Sequence, residues 1–346
     1  MKDIKNYEKE KMYSLNEIGL LPSSEPTDIS SRSQVNPFTE DEKLPIFVSP
    51  MTSVLCKENY LKFSENKVMP ILPRNCRYEK FLKGVWQSVS LQEFETLANS
   101  DAQDFNGISI LVDIANGHIG KLYGLVDKFK TKWPKSIVMI GNIAHPNIYK
   151  YCCYCGADYV RVSVGTGSVC STSVVCGINA SHLWLIEGIK DVKEELKNEY
   201  YGDSYFLSKH PNFKFTKVIA DGGVNTLDKA IKCLSIGYDY IMVGKMFAQC
   251  EEACGQTIIT NEGKLRKYYG MASEQGQIDI SGGANKSPEG IETFVPVNTT
   301  VKEFVTKFEA ALRSTMSYVG AHNLQELRDK CQYRIMTEAQ FKSYYK

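Results

Sequence analysis

The sequence contains no uncharged apolar run of the roughly 18 residues that a membrane helix needs. Its first five residues, Met-Lys-Asp-Ile-Lys, lack the apolar segment of a secretory signal, so we expect a cytoplasmic protein whose 11 cysteines remain thiols. Long basic runs are absent and the formal net charge is +1, which argues against a nucleic-acid-binding surface. What remains is a globular protein with 43% apolar residues, enough for a large core.

From residue 45 onwards, short β-branched runs alternate with amphipathic stretches, as is typical of parallel α/β proteins. The runs predict strands at Pro45–Met51, Val68–Pro73, Ile108–Ala115, Ile137–Asn142, Tyr159–Gly165, Val218–Gly223, Tyr240–Gly244 and, more weakly, Leu265–Met271. The helices predicted are Phe81–Ala98 with an interruption, Ile119–Lys132, Pro146–Cys155, Asn179–Glu199, Thr226–Ile236, Lys245–Cys254 and Val301–Tyr318. Eight strands, most of them followed by a helix, favour a single (β/α)8 barrel over an open doubly wound sheet.

The remaining segments divide the chain around this barrel. We expect an N-terminal arm at residues 1–40, the barrel at residues 41–330 and a C-terminal tail at residues 331–346. Residues 272–290 are polar and rich in Gly and Ser, which predicts a long flap at about residues 272–297 rather than packed core.

A glycine-bracketed loop, Val164-Gly-Thr-Gly-Ser-Val-Cys-Ser-Thr172, follows one predicted strand. Glycine permits positive φ and close approach to a ligand, so this turn places the Cys170 thiol at the end of the strand, where barrel active sites are assembled. Thr172 is two residues further on, within reach of a leaving group. Cys170 is therefore a candidate nucleophile, although a buried and inert cysteine is the alternative when the loop is considered alone.

Two later strand ends, Asp221-Gly-Gly223 and Gly244-Lys245, combine small residues with a following helix. Paired glycines let backbone N–H groups approach a phosphate, and loops after late barrel strands commonly bind one. Asp221 is placed to accept hydrogen bonds from ribose hydroxyls. The combination indicates a site for a nucleoside monophosphate.

Four segments together resemble the IMP dehydrogenase and GMP reductase family over about residues 28–330. They are Gly-x-Gly-Ser-Val-Cys-x-Thr at 165–172, Ile-Ala-Asp-Gly-Gly at 219–223, Tyr-Gly-Met-x-Ser at 269–273 and Arg-Ser-Thr-x-x-Tyr-Val-Gly at 313–320. The resemblance implies a (β/α)8 barrel in which Cys170 attacks C2 of a purine nucleotide.

Within the family, the chain looks like the reductase branch. The family's dehydrogenases usually carry CBS domains after the second strand, whereas here only residues 74–107 separate the second and third predicted strands. The dehydrogenase flap also has an Arg-Tyr dyad that activates water, and residues 272–300 contain neither residue type. Asp113-x-Ala-Asn-Gly117 and Ser31-Arg-Ser-Gln-Val35 are similar to reductase segments, the second of which touches the cofactor.

The resemblance implies NADPH-dependent reductive deamination of GMP to IMP, a bound potassium ion and a homotetramer. Its implied catalytic residues are Cys170, Thr172 and Glu289. Its implied substrate-binding residues are Met51, Ser168, Asp221, Gly222, Gly223, Gly244, Lys245, Tyr269, Gly270, Met271, Lys286 and Gly290. The NADPH site would include Ser31, Arg32, Arg74, Asp113, Ile114, Ala115, Val164, Gly165, Ser314, Thr315, Met316 and Ser317, some of them from a neighbouring subunit. Backbone carbonyls of Gly165, Gly167 and Cys170 would hold the cation.

Several positions depart from the family pattern. Thr52, Pro73, Thr166, Ser173, Ala272 and Lys286 replace the residues expected there, and Lys is not equivalent to Arg at a bidentate site. A dehydrogenase without CBS domains and an inactive nucleotide-binding paralogue therefore remain as alternatives.

Overall fold

The computed structural model describes residues 11–101, 103–261, 263–281, 283 and 290–344. The strands, in chain order, are β1 (Ile18–Leu21), β2 (Ile46–Val48), β3 (Met69–Leu72), β4 (Trp86–Val89), β5 (Ser109–Val112), β6 (Ile137–Ile143), β7 (Tyr159–Val162), β8 (Lys217–Asp221), β9 (Tyr240–Val243), β10 (Thr257–Thr260), β11 (Gly263–Tyr269), β12 (Glu292–Pro296) and β13 (Gln332–Ile335). Strands β2 to β9 are parallel and close into a barrel, in which β2 pairs with both β3 and β9. The predicted (β/α)8 barrel is confirmed.

The helices surround the barrel or follow it. In chain order they are α1 (Tyr60–Ser64), α2 (Leu91–Asn99), α3 (Gly120–Lys132), α4 (Tyr149–Tyr154), α5 (Thr172–Val175), α6 (His182–Gly202), α7 (Phe206–Lys209), α8 (Leu227–Ile236), α9 (Lys245–Ala248), α10 (Glu274–Ser281), α11 (Val301–Val319), α12 (Leu324–Lys330) and α13 (Glu338–Tyr344). Among these helices, none has the length and apolar character needed to cross a membrane.

The barrel lumen is packed with aromatic side chains. Phe47 lies 5.4 Å from Trp86, 5.5 Å from Tyr159 and 5.4 Å from Tyr240, measured between ring centroids. The contacts with Trp86 and Tyr159 are edge-to-face, an arrangement worth about 0.5–1.5 kcal/mol per pair beyond the burial of area. A cavity opens beyond this cluster, where residues at and after the C-terminal ends of the strands line it.

One barrel strand was not predicted. Residues 86–89 were assigned to an interrupted helix, but they form β4, and the helix α2 begins only at Leu91. The strand carries two polar side chains, Gln87 and Ser88, that are fully buried. Ser88 Oγ donates to the Leu72 carbonyl at 2.7 Å, and Gln87 Oε1 accepts from the Tyr78 amide at 2.8 Å. Burial of these two polar side chains is tolerated because their hydrogen-bond partners satisfy them. The strand therefore lacks the continuous apolar run by which a buried strand is predicted from sequence.

The predicted eighth barrel strand, Leu265–Met271, does form a strand, but that strand belongs to a sheet outside the barrel. It corresponds to β11, which pairs antiparallel with β10 and β12 outside the barrel. The true eighth barrel strand is β9, so Asp221 ends the seventh strand and Gly244 follows the eighth. Local alternation indicates a strand but not the sheet it joins.

Two helix predictions show what ends a helix here. The prediction at Val301–Tyr318 is confirmed by α11, where Thr300 and Glu303 form a capping box and Gly320, with φ +74°, ends the helix. The prediction at Lys245–Cys254 is too long, because α9 ends at Ala248. The buried Arg266 guanidinium donates hydrogen bonds to the carbonyls of Ala248 and Cys250. These carbonyls therefore accept from a side chain and not from backbone amides of a longer helix.

The polar segment expected to be an unpacked flap contains regular structure. Residues 274–281 form α10, and residues 292–296 form β12, in which Val295 is buried. At the other end of the fold, the expected arm and tail meet, because β1 pairs antiparallel with β13.

Candidate active site

The cysteine loop is folded so that the thiol faces a hydroxyl. Cys170 Sγ donates to Thr172 Oγ1 at 3.2 Å, and the Cys170 amide donates to the Gly167 carbonyl at 3.0 Å. Gly165 has φ +81°, and a Cβ there would lie 2.6 Å from the Ile178 carbonyl oxygen. Only glycine fits at position 165, which explains the first glycine of the bracket seen in the sequence.

The end of the flap packs on this loop. Gly290 forms a backbone bridge with Cys170, and the Ile291 amide donates to the Val169 carbonyl at 3.0 Å. A Cβ at Gly290 would lie 2.7 Å from the Ser273 amide nitrogen, so the approach requires glycine. The thiol therefore lies between its own loop and the residues that follow Glu289 in the chain.

A cavity of about 250 Å³ collects most of the predicted residues. Its lining includes Cys170 and Thr172, the predicted substrate residues Met51, Ser168, Asp221, Gly222, Gly223, Gly244, Lys245, Gly270, Met271 and Gly290, the predicted cofactor residues Asp113, Ala115, Val164 and Gly165, and Gly167 of the predicted cation site. Residues from six of the eight barrel strands and their loops, including the cysteine loop, thus meet the flap at one place, although they are far apart in sequence.

Other predicted residues lie elsewhere. Tyr269 does not line the cavity in the described structure; its neighbour Tyr268 does, while the Tyr269 hydroxyl donates to Asp279. Ile114 packs against the hydrophobic core. Lys286 and Glu289 lie outside the described residues.

One group of predicted cofactor residues lies away from this cavity, on the outer helix α11. The segment Ser31–Gln34 is anchored there, because the Arg313 guanidinium donates to the carbonyls of Val35 and, at 3.5 Å, Arg32. Residues 314–317 belong to the same helix, where Met316 is fully buried in the core. These two segments therefore lie beside each other but do not line the cavity of their own chain.

A buried arginine that the sequence analysis missed organises the cavity floor. Arg161 is 5% exposed, and its Nη2 donates to Asp113 Oδ1 at 2.7 Å and to the Gly141 carbonyl at 2.8 Å. Its Nη1 lies 3.5 Å from Asp221 Oδ2, which also accepts from Asn142 Nδ2 at 2.9 Å. The arginine thus links the aspartate of the predicted cofactor segment to the aspartate of the predicted nucleotide site.

Arg161 was missed because it lies inside a strand that reads as apolar, where a charged residue has no local signal. Its charge is compensated by Asp113 and Asp221, which follow or end other strands and are brought to it by barrel closure. Asn142 and Tyr268 were missed for a related reason, since neither of them belongs to a recognisable motif.

The glycine turn after β8 is supported by a buried histidine. Gly222 and Gly223 have φ +87° and +71°, and a Cβ on either would lie 2.9 Å from an oxygen of Thr166. Burial lowers the pKa of His182, so the ring is neutral and its Nε2 donates to the Gly222 carbonyl at 2.7 Å. The turn is therefore held open toward the cavity by a side chain that lies behind it.

We expect Arg161→Met to lower the free energy of unfolding by about 3 kcal/mol or more, because it leaves two partly buried carboxylates without their shared cation. Urea unfolding followed by circular dichroism measures the change. The matched control is Arg334→Met, which removes an exposed arginine from β13 and should change the free energy by less than about 1 kcal/mol. Equal effects of the two substitutions would contradict the assignment.

The fold and the site define a (β/α)8-barrel protein with a thiol in its ligand cavity. The profile of the IMP dehydrogenase / GMP reductase domain matches residues 26–344. The chain belongs to this family, whose members are oxidoreductases named for purine nucleoside monophosphates.

Relatives of both kinds are similar to the chain. It is 28% identical over 333 residues to a GMP reductase of Staphylococcus epidermidis, covering 92% of the chain and 94% of the relative. It is 26% identical over 339 residues to a GMP reductase of Streptococcus pyogenes, covering 92% and 93%. It is 27% identical over 347 residues to an inosine-5'-monophosphate dehydrogenase of Chlorobaculum parvum, covering 95% of the chain but 65% of that protein. Identities this close to each other do not resolve which of the two activities the chain has.

Proposed function

We propose that this protein is a GMP reductase-like enzyme that converts GMP to IMP and ammonia with NADPH. The observation that carries the proposal is the 3.2 Å contact between Cys170 Sγ and Thr172 Oγ1 in a cavity lined by glycine turns. A thiol needs a nearby proton acceptor to become a nucleophile, and a hydroxyl beside it can then pass a proton to the leaving group.

The proposed chemistry balances as GMP + NADPH + 2H⁺ giving IMP + NH₄⁺ + NADP⁺. The Cys170 sulfur bonds to C2, and Thr172 and Glu289 protonate the exocyclic amine. The bond between C2 and this amine then breaks, ammonia leaves, and a thioimidate remains on Cys170. When bound, NADPH supplies the hydride that C2 receives. The C–S bond then breaks and Cys170 is restored.

The nucleotide is proposed to lie with its phosphate on the amides of Gly222–Gly223 and Gly244–Lys245 and its ribose near Asp221. Both turns line the cavity, and a Cβ at Gly244 would lie 2.7 Å from Met51 Sδ and 2.9 Å from the Tyr268 hydroxyl. Burial raises the pKa of Tyr268, so its hydroxyl stays protonated and can donate to an anion at this place.

The cofactor proposal is supported by Arg74 and Asp113. Arg74 Nη2 lies 3.7 Å from Asp113 Oδ2, the Arg74 side chain is 25% exposed, and Asp113 lines the cavity. A partly exposed guanidinium beside the cavity suits the phosphate groups of NADPH. We propose that Ser31, Arg32, Ser314, Thr315 and Ser317 complete the site of a neighbouring subunit in a homotetramer, because they lie away from the cavity of their own chain. Met316 is buried in the core of its own chain and is left out of this proposal.

A potassium ion is proposed at the carbonyls of Gly165, Gly167 and Cys170. Carbonyl oxygens are the hard ligands that such cations take, and the three belong to one turn. The Gly167 oxygen accepts one hydrogen bond from the Cys170 amide and keeps a second lone pair for a cation.

The reductase direction is favoured over the dehydrogenase one by the flap composition. Hydrolysis of a thioimidate requires a base that activates water, and residues 272–300 contain neither arginine nor tyrosine. The matches to GMP reductases also extend over 94% and 93% of their lengths.

The direct test follows NADPH oxidation with GMP, dGMP and related purine nucleotides, together with the appearance of IMP and ammonia. We expect turnover with a guanine nucleotide and no xanthosine monophosphate from IMP and NAD⁺. Steady formation of xanthosine monophosphate would replace the reductase proposal by the dehydrogenase one.

A further inference from the structure

One carboxylate holds the flap helix α10 against the barrel rim. Asp279 Oδ2 accepts hydrogen bonds from the Tyr269 hydroxyl at 2.7 Å and from Thr52 Oγ1 at 2.8 Å. Its Oδ1 accepts from Gln275 Nε2 at 2.9 Å, and its backbone carbonyl accepts from Asn75 Nδ2 at 3.0 Å. Three segments outside α10 thus meet at one residue of the flap.

The electrostatics of this residue favour its charged form. Burial acts to raise the pKa of Asp279, but hydrogen bonds from Tyr269, Gln275 and Thr52 outweigh it and hold the pKa below its usual value. Hydrogen bonds to a charged acceptor are about twice as strong as neutral ones. The flap helix is therefore attached to the rim by charge-assisted bonds at neutral pH.

Asp279 and its partners Tyr269 and Thr52, here called the anchor, lie directly behind one wall of the cavity. Thr52 follows Met51, and Tyr269 precedes Gly270 and Met271; these three neighbours all line the cavity. Thr52 Oγ1 also lies 3.9 Å from Met271 Sδ. Asp279 itself does not line the cavity in the described structure, so it can act on a ligand only through these neighbours.

The same anchor is connected to the thiol by the β11–β12 ladder. Tyr269 is paired with Glu292, and Glu292 is two residues from Gly290, which bridges Cys170. Fixing Tyr269 therefore fixes both the start of the flap and the strand by which it returns.

We propose that Asp279 is a positioning residue. It fixes the positions of Met51 and Met271 in the wall of the nucleotide site, and it fixes how the flap packs on the Cys170 loop. The proposal rests on the proposed nucleotide site, but not on the direction of the reaction. Small misplacements of a site can cost up to about 100-fold in rate, so the effect is measurable.

The test compares Asp279→Asn with Glu274→Gln, which also converts a carboxylate to an amide on α10 but at an exposed position. We expect Asp279→Asn to lower kcat/KM and to weaken nucleotide binding about 10-fold or more, whereas Glu274→Gln stays within about twofold of wild type. Kd values for GMP and IMP, measured by calorimetry, provide the readout that does not depend on turnover. If wild type binds nucleotide but does not reduce GMP, the proposed function fails while the Asp279 comparison remains decisive.

Two further readouts separate positioning from a merely structural role. Tyr269→Phe should weaken binding in the same direction, and the double substitution should be no worse than Asp279→Asn alone, because the two residues act through one hydrogen bond. Since the pKa of Asp279 lies below its usual value, the ratio of variant to wild-type activity should stay constant between about pH 5 and 8. Additive effects, or a loss of thermal stability with unchanged Kd and kcat/KM, would overturn the proposal.

Discussion

Cys170→Ala is expected to abolish turnover, with a loss of about 10⁴-fold or more, while nucleotide affinity changes by less than about threefold. The sulfur is the only protein atom that the proposal bonds to C2, whereas binding of the nucleotide is assigned to the backbone of Gly222–Gly223 and Gly244–Lys245. Removing Sγ also deletes the donor to Thr172 Oγ1 but leaves the Gly167–Cys170 turn, which is held by the backbone. Rates of NADPH oxidation and calorimetric Kd values measure the two effects separately.

The control for this experiment is Cys176→Ala, six residues further on and exposed at the end of α5. It should retain activity within about twofold, because its side chain lies outside the cavity lining of the described structure. A Cys170→Ala enzyme that reduces GMP at the wild-type rate would reject the nucleophile assignment.

Glu289→Gln is expected to slow ammonia release by about 10²- to 10⁴-fold, the range typical of a general acid. An amine bound to C2 is a poor leaving group until it is protonated, and the amide of glutamine cannot supply that proton. Hydride transfer follows deamination in the proposed sequence, so it should be less affected once the thioimidate has formed. Single-turnover measurements of ammonia and of NADPH absorbance distinguish the two steps.

The exposed Glu274→Gln variant is again the matched control, because it removes a carboxylate from the same flap and should release ammonia at the wild-type rate. Equal rates of ammonia release in Glu289→Gln and wild type would show that another group protonates the amine. The role of Thr172, which lies 3.2 Å from the thiol, would then need to include the whole proton transfer.

The barrel itself was predictable because seven of its strands are short apolar runs that end in glycine or in a polar residue. Periodicity reports burial on both faces, which parallel strands in a barrel share. It failed at Trp86–Val89, where buried Gln87 and Ser88 are satisfied by groups from other segments. It also failed at Leu265–Met271, because alternation is the same in a barrel strand and in the β10–β11–β12 sheet.

By itself, the sequence determined the barrel fold, the family and the group of loops that form the cavity, because glycine turns and the Cys170–Thr172 spacing are local properties of the chain. Only the tertiary structure decided which distant polar and charged groups pair with one another. Arg161 and Asp113 are 48 positions apart, and Thr52 and Asp279 are 227 apart, yet each pair is in hydrogen-bond contact. No local pattern encodes such pairs, since a buried or half-buried charge is tolerated only when folding brings its partner to it.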